Sequence, residues 1–292
     1  MPKPSLRGTG ADLYVKTLGG KKIVQRVLRK SAFGRSIPQQ VRFEAALQKF
    51  IGGQPFCANF ISSDSNSITY EYIQGRDIFY SADGKKVGAA LAALHGFSSQ
   101  TPFAFAQYSS AESLLSSIRS VAMSKKETIS RLAGAAAKDI FSLAEKNPIP
   151  PAHENPNGCI VHNDLTAGNI LIGDNGTARI IDWSWAAHSD CALDLLSFTC
   201  PVVTSWEYEH IISEKAAKDF FSAYFSARQI SDDEKHAITT QARSLAMPYF
   251  ASMLLWLFST GPESSQQKGA QERFSNPEFL KEAIDAVAKL KF

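Results

Sequence analysis

The sequence predicts an α+β protein of two unequal parts, a small β-rich N-terminal part followed by a larger, mainly helical one. Three observations carry this reading. Short alternating segments and a Gly-Gly turn crowd the first 75 residues, Ala- and Leu-rich stretches with helical spacing fill most of the remainder, and one compact β segment interrupts them at 160–182. A chain of 292 residues is too long for one small core and suits two lobes sharing a cleft.

The elements follow in order. Ala11 to Leu18 alternates, Gly19-Gly20 is a hairpin turn signal, and Lys22 to Arg29 reads as the return strand. Gln39 to Phe50 has helical spacing, with Val41, Ala45, Leu47 and Phe50 apolar. Phe56 to Ile61 and Ser67 to Ile73 read as a second strand pair. Gln74-Gly75 breaks the pattern, which places an N-terminal lobe at 1–75 and a C-terminal lobe at 76–292. Helices are expected at Gly84 to His95, Ala111 to Val121 and Lys125 to Lys146. The stretch 147–158, with four prolines, reads as a loop. Within Ile160 to Asp182, two apolar runs flank Asp174-Asn175-Gly176, a strong hairpin signal. From Leu193 onward the pattern is again helical.

Composition excludes several classes. Apolar residues make up 44% and charged residues 20%, as in ordinary globular proteins. No apolar run reaches the roughly 18 residues a membrane span needs, and Met247 to Phe258 reads as a buried helix. The first residues lack the apolar stretch of a signal peptide. Cysteines at 57, 159, 191 and 200 form no C-x-x-C pair and read as reduced thiols of a cytoplasmic protein. Residues 1–75 hold 11 Lys/Arg against 4 Asp/Glu, whereas the remainder holds 20 against 24. A basic first lobe suits an anionic ligand such as a nucleotide, and an acidic second lobe suits a cationic one.

The sharpest signal is Ile160-Val161-His162-Asn163-Asp164-Leu165-Thr166-Ala167-Gly168-Asn169-Ile170-Leu171-Ile172, followed by Ile180-Ile181-Asp182-Trp183. It resembles the kinase arrangement H-x-D-x-x-x-x-N with a second Asp on a following strand. The H-N-D-L and I-D-W forms are typical of the aminoglycoside phosphotransferase and choline kinase superfamily. The resemblance implies a two-lobed, protein-kinase-like fold. Phosphoryl transfer needs a carboxylate to orient the acceptor hydroxyl and take its proton, a role for Asp164. It also needs hard oxygen ligands for Mg²⁺ on the ATP phosphates, a role for Asn169 and Asp182. Asp190 and Asp194 resemble a downstream segment of the same family. Asp194 there braces the catalytic loop, although a helix-start cap is an equally simple reading, and His162 and His95 read as structural.

The same resemblance extends over most of residues 6–200. Leu6 to Tyr14 resembles the glycine-containing turn over the phosphates. Val27-Leu28-Arg29 resembles the strand with the phosphate-binding cation, which gives Arg29 that role, with Lys30 as the alternative. Glu44 fits the helix carboxylate that pairs with this cation, or else simply faces solvent. Glu71, Tyr72 and Ile73 match the hinge whose backbone binds the adenine edge.

Tyr249 to Phe258 is similar to an aromatic helix of choline kinases, and equally reads as a plain amphipathic core helix. Trp185, Trp206, Tyr249 and Trp256 are the candidate aromatic faces for an ammonium group. The reading is therefore an ATP- and Mg²⁺-dependent kinase acting on a hydroxyl of a small amine-bearing molecule resembling choline or ethanolamine, with no nucleic-acid or membrane partner. One alternative is an aminoglycoside phosphotransferase, with Glu207, Glu209, Asp232, Asp233 and Glu234 as an acidic site. The other is a pseudokinase that binds nucleotide or a partner without turnover. A protein kinase is disfavoured, because no Ala-Pro-Glu segment follows Asp182.

Overall fold

A computed structural model describes residues 6–7, 10–32, 34–97, 110–152, 158–207 and 211–292. The N-terminal sheet is antiparallel, with strands β1 (Leu6–Arg7), β2 (Ala11–Leu18), β3 (Lys21–Leu28), β4 (Phe60–Ser63) and β5 (Ser67–Glu71) in the order β1-β2-β3-β5-β4. The Gly19-Gly20 turn sets the β2–β3 register, which pairs Leu18 with Lys21 and Ala11 with Leu28. Helix α1 (Ile37–Phe50) opens on a capping box. Ser36 accepts from the Gln39 amide while the Gln39 side chain accepts from the Ser36 N–H.

Strand β6 (Gly75–Asp77) leaves that sheet and pairs with β8 (Ile170–Gly173), which pairs in turn with β9 (Ala178–Ile180). The helical part begins with α2 (Tyr80–Gly96), α3 (Ala111–Met123), α4 (Lys126–Ala133) and α5 (Ala137–Lys146). Strand β7 (Cys159–Val161) pairs with β10 (Ala187–Ser189), a short strand not expected from the sequence. The chain ends with α6 (Ala192–Thr199), α7 (Pro201–Glu207), α8 (Glu214–Arg228), α9 (Asp232–Phe258), α10 (Ser265–Phe274) and α11 (Pro277–Ala288). This is the two-lobed arrangement expected from the sequence. No described helix is long and apolar enough to cross a membrane.

Two expectations shift. The single helix expected over 125–146 is broken at Gly134, whose φ of 55° lies in the left-handed region and ends α4. The strand expected from Phe56 starts only at Phe60. Residues 56 and 57 instead reach the catalytic hairpin: the Ile180 N–H donates to Phe56 O at 2.7 Å, and Arg179 donates to Cys57 O at 2.6 Å. That segment belongs to a core that joins both lobes, in which Leu47 and Ile51 of α1 meet Leu91 of α2, Ile170, Ile180 and Trp183. A second core is purely helical and packs α3, α4 and α5 around α9. Close approach of α2 and α8 depends on Gly88, where a Cβ would sit 2.5 Å from Phe220 O.

Candidate active site

The 160–182 segment folds as a strand, a loop and a hairpin, so residues separated by 5 and 18 positions meet at one place. Asn169 stands opposite Ile181, whose N–H donates to Asn169 O at 2.9 Å, and Asp182 is the next residue. The Asn169 amide nitrogen donates to Asp164 twice, to its carbonyl at 2.8 Å and to Oδ2 at 2.9 Å. Asp164, Asn169 and Asp182 are thus brought together. Because the Asn169 nitrogen is committed to Asp164, its Oδ1 is the atom left for a cation. With the half-exposed Asp182 carboxylate it makes a hard, oxygen-only donor set that fits Mg²⁺.

The loop is held from behind. Asp194, fully buried at the start of α6, accepts from the backbone N–H of His162 and of Asn163, both at 2.7 Å, and meets His95 Nε2 at 3.1 Å. These bonds fix Asn163 at a φ of 65°, a left-handed conformation that Asn tolerates better than most residues. Asp182 is also left-handed, at 61°. Strain of roughly 1–3 kcal/mol at such a residue persists only where neighbours over-determine it. His162 provides further support: its Nδ1 accepts the Asp164 N–H at 3.3 Å and its Nε2 meets Ile181 O at 3.0 Å.

The cation side differs from the sequence expectation. Glu44 is met by Arg26, at 2.8 Å, and not by Arg29 or Lys30. Arg26 also reaches Asp182 Oδ1 at 2.8 Å. Arg26 lies in phase with Val24 and Leu28 on the face of β3 that covers α1, whereas Arg29 and Lys30 lie beyond the end of the strand, where both backbone N–H groups donate to Gly10 O and the alternation of faces stops. Arg29 lies 3.5 Å from Asp12 and Lys30 2.6 Å from Glu263. A charged residue in the apolar phase of a strand is the signal that would have found Arg26.

Around this pair sits a buried polar network also missed in the sequence. Ser184 Oγ lies 3.0 Å from Glu44 Oε1 and 2.7 Å from Asp182 Oδ1, and it accepts from Arg26 at 2.8 Å. Gln40 donates to Glu44 at 2.8 Å and to Ser184 O at 3.1 Å. Burial opposes the Arg26 charge, but Asp182 and Glu44 outweigh it and hold the guanidinium charged. Burial likewise opposes the Asp182 charge, yet Arg26 and Ser184 bring its pKa below the ordinary value. For Glu44 burial wins over the pull of Arg26, and its pKa rises.

At the hinge, the Glu71 N–H donates to Asn59 O at 2.9 Å and the Tyr72 N–H to Lys22 O at 3.4 Å, while the Glu71 side chain is held by Asn59. Among the aromatic candidates, Trp185 O accepts from Asn163 Nδ2 at 3.1 Å, so the backbone of this residue is joined to the catalytic loop, and its ring is half-exposed. Tyr249 is buried, hydrogen-bonded to Ser197, and close enough to Asp164 to feel its charge. Trp206 is half-buried on α7, which packs on the 167–169 turn. Trp256 is half-exposed on α9. Gly8, Thr9 and Glu209 lie outside the described residues. A cleft of about 590 Å³ between α8 and α11 is lined by none of these residues.

Residues 7–236 match the phosphotransferase enzyme family. The chain belongs to it. A homoserine kinase from Methylocella silvestris is 26% identical over 293 residues, covering 95% of this chain and 85% of that protein. A choline kinase from Cryptosporidium parvum superposes with a TM-score of 0.63 at 17% identity, covering 96% of this chain and 88% of that one. A spectinomycin phosphotransferase in complex with ADP and spectinomycin gives 0.61 at 17% identity, with 98% and 92% covered. The chain is accordingly a small-molecule kinase with a hydroxyl acceptor, an ATP-dependent member of this phosphotransferase family.

Proposed function

We propose that the chain moves the γ-phosphate of ATP to the hydroxyl of a small amine-bearing alcohol, with homoserine as the first candidate. The observation that supports this is the near-full-length likeness to a homoserine kinase, on a chain in which Asp164, Asn169 and Asp182 lie together. Asp164 orients the acceptor hydroxyl and takes its proton, and the Asn169 amide fixes the carboxylate for that task. Asn169 Oδ1 and Asp182 would hold Mg²⁺, which would supply charge neutralisation on the phosphate oxygens. Arg26, kept charged between Glu44 and Asp182, faces the phosphates from the N-terminal lobe. Of the three expected hinge residues, Ile73 serves the adenine edge, since the Glu71 and Tyr72 N–H groups are already engaged. Residues 1–75 and 76–292 are the lobes whose closure completes the site.

A choline- or ethanolamine-like acceptor is the second reading, favoured by Trp185, which has a half-exposed ring and whose backbone is tied to the loop that carries Asp164. The test is coupled ADP release with homoserine, choline, ethanolamine and an aminoglycoside as acceptors. The expected result is a kcat/KM for homoserine at least about tenfold above the others, a difference of about 1.4 kcal/mol. Preference for choline, together with a raised choline KM in Trp185→Ala at unchanged KM for ATP, favours the second reading. Best turnover with the aminoglycoside overturns both.

A further inference from the structure

Behind the catalytic loop lies a cluster that phosphoryl transfer does not use. Cys159 at the start of β7, Cys191 just before α6 and His95 in the last turn of α2 place their ligand-type atoms within 4.8 Å of one another. Cys159 and His95 are buried, and Cys191 is the least buried of the three. The two thiols are hydrogen-bonded to each other, and Tyr224 is hydrogen-bonded to Cys191. Three rigid elements thus converge two sulfurs and one imidazole in a place where neither substrate is expected.

The protonation of His95 follows from its partners. Asp194 already accepts two backbone N–H groups, and His95 Nε2 donates to the same carboxyl group at 3.1 Å. That leaves the lone pair on Nδ1, which accepts from the Tyr224 hydroxyl at 2.9 Å, the same residue that is bonded to Cys191. A histidine whose far nitrogen is held by a carboxylate is the usual form of a metal-ligating imidazole. The charges also close. Two thiolates cancel a dication, and Arg228 adds a positive charge that acts on both cysteines and on Tyr224. Bond lengths of about 2.3 Å to sulfur and 2.0 Å to nitrogen put tetrahedral ligand atoms about 3.5–3.8 Å apart, a contraction of at most about 1.3 Å from a spacing within 4.8 Å.

We propose that His95, Cys159 and Cys191 form a binding site for a soft divalent cation of the zinc class, seated behind the catalytic loop. The fourth position falls to Tyr224 Oη or to a water. Binding replaces the hydroxyl proton at His95 Nδ1 and releases the thiol protons. Because Asp194 holds both His95 and the loop amides of His162 and Asn163, the cation sits one hydrogen bond removed from the groups that position Asp164.

The experiment is a Co²⁺ titration of the reduced full-length chain, without nucleotide, followed by absorbance. The expected result is one equivalent that shows a thiolate-to-cobalt charge-transfer band and the intense visible bands of a tetrahedral site, displaced by Zn²⁺ but not by excess Mg²⁺. The same bands persist in Asp182→Ala, because the Mg²⁺ site offers only oxygen. In Cys191→Ser, a change at the least buried of the three positions, affinity falls by at least about tenfold, the loss that even an outer-shell partner typically causes. Cys57→Ser, at a thiol that donates to Ile51 O elsewhere, leaves the titration unchanged. No charge-transfer band in folded wild-type protein, or a band of undiminished affinity in Cys191→Ser, overturns the proposal.

Discussion

The catalytic hairpin and strand β3 supply the two halves of one site, and they encode it in opposite ways. In the hairpin, Asp164, Asn169 and Asp182 are brought together by a loop, two short strands and one turn, so their spacing along the chain nearly determines their spacing in space. In β3 the cation meets partners 18 and 156 residues away, Glu44 and Asp182, and which residue meets them depends on the face the strand turns toward α1. A constellation built by local geometry can be read from spacing alone, whereas one built by packing between elements requires the register. Variants on each side can break or sharpen that contrast.

The largest effect is expected in the hairpin. Asp164→Asn keeps the shape and the bond from Asn169 but removes the base, so kcat is expected to fall by about 10²–10⁴ with nucleotide affinity near wild type. Single-turnover rates and calorimetric ATP titration separate the two quantities. Turnover within a few-fold of wild type would remove Asp164 from the chemistry.

The strand side is expected to answer next. Arg26→Met should lower kcat/KM for ATP by about 10²–10³, the usual effect of losing one charge-stabilising donor. Arg29→Met and Lys30→Met should stay within about twofold, since the ion pairs of Arg29 with Asp12 and of Lys30 with Glu263 are exposed or half-exposed. The reverse ranking would return the role to Arg29 and place Arg26 as a structural cation. Arg26→Met leaves Glu44 and Asp182 without their cation, a change that typically costs about 3–5 kcal/mol at a buried pair, so the kinetics are read at a temperature where the circular dichroism of the variant matches wild type.

Legibility followed the same line through the rest of the molecule. The two-lobe α+β arrangement was readable because hairpin turns and helical spacing are local signals. The β7–β10 pair was not, since Ala187 to Ser189 carries no turn signal beside it and pairs with a strand 28 residues back. Asp164, Asn169 and Asp182 stood out by type and spacing. Gln40 and Ser184 did not, because a neutral side chain in a buried network looks like any polar residue until its partners are known. The acceptor side was legible only as a set of rings. Of these, Trp185 is tied to the catalytic loop by its backbone and Tyr249 is buried near Asp164.

Ser184 joins the two regions and is the next test. Its single hydroxyl proton lies within reach of both Glu44 and Asp182, so it can serve only one carboxylate at a time. Ser184→Ala removes that choice and one acceptor of Arg26. A loss of about 1.5 kcal/mol for a hydrogen bond to a charged group corresponds to about tenfold in kcat/KM. The loss should appear mainly in kcat, with the ATP KM little changed, if the hydroxyl positions Asp182. A pure KM effect would assign it to nucleotide binding instead.

The smallest effect concerns stability and comes from His162, the residue that supports the catalytic loop from within. It is fully buried, its Nδ1 accepts the Asp164 N–H, and its Nε2 proton faces Ile181 O, so the neutral ring satisfies both partners. Burial disfavours the imidazolium more than Asp194 and Asp182 favour it, and the folded-state pKa is lowered. The unfolded chain therefore binds a proton near the ordinary histidine value of about 6.5, while the folded chain does not. Stability from this group is present above that value and falls as pH drops toward the lowered folded pKa, by at most about 1.4 kcal/mol per pH unit. Protonation would also turn Nδ1 into a donor against the Asp164 N–H. Urea unfolding across this range should show the slope in wild type and a shallower one in His162→Gln, whose amide can still offer one acceptor and one donor. Identical slopes in the two proteins would show that another group carries the acid sensitivity of the loop.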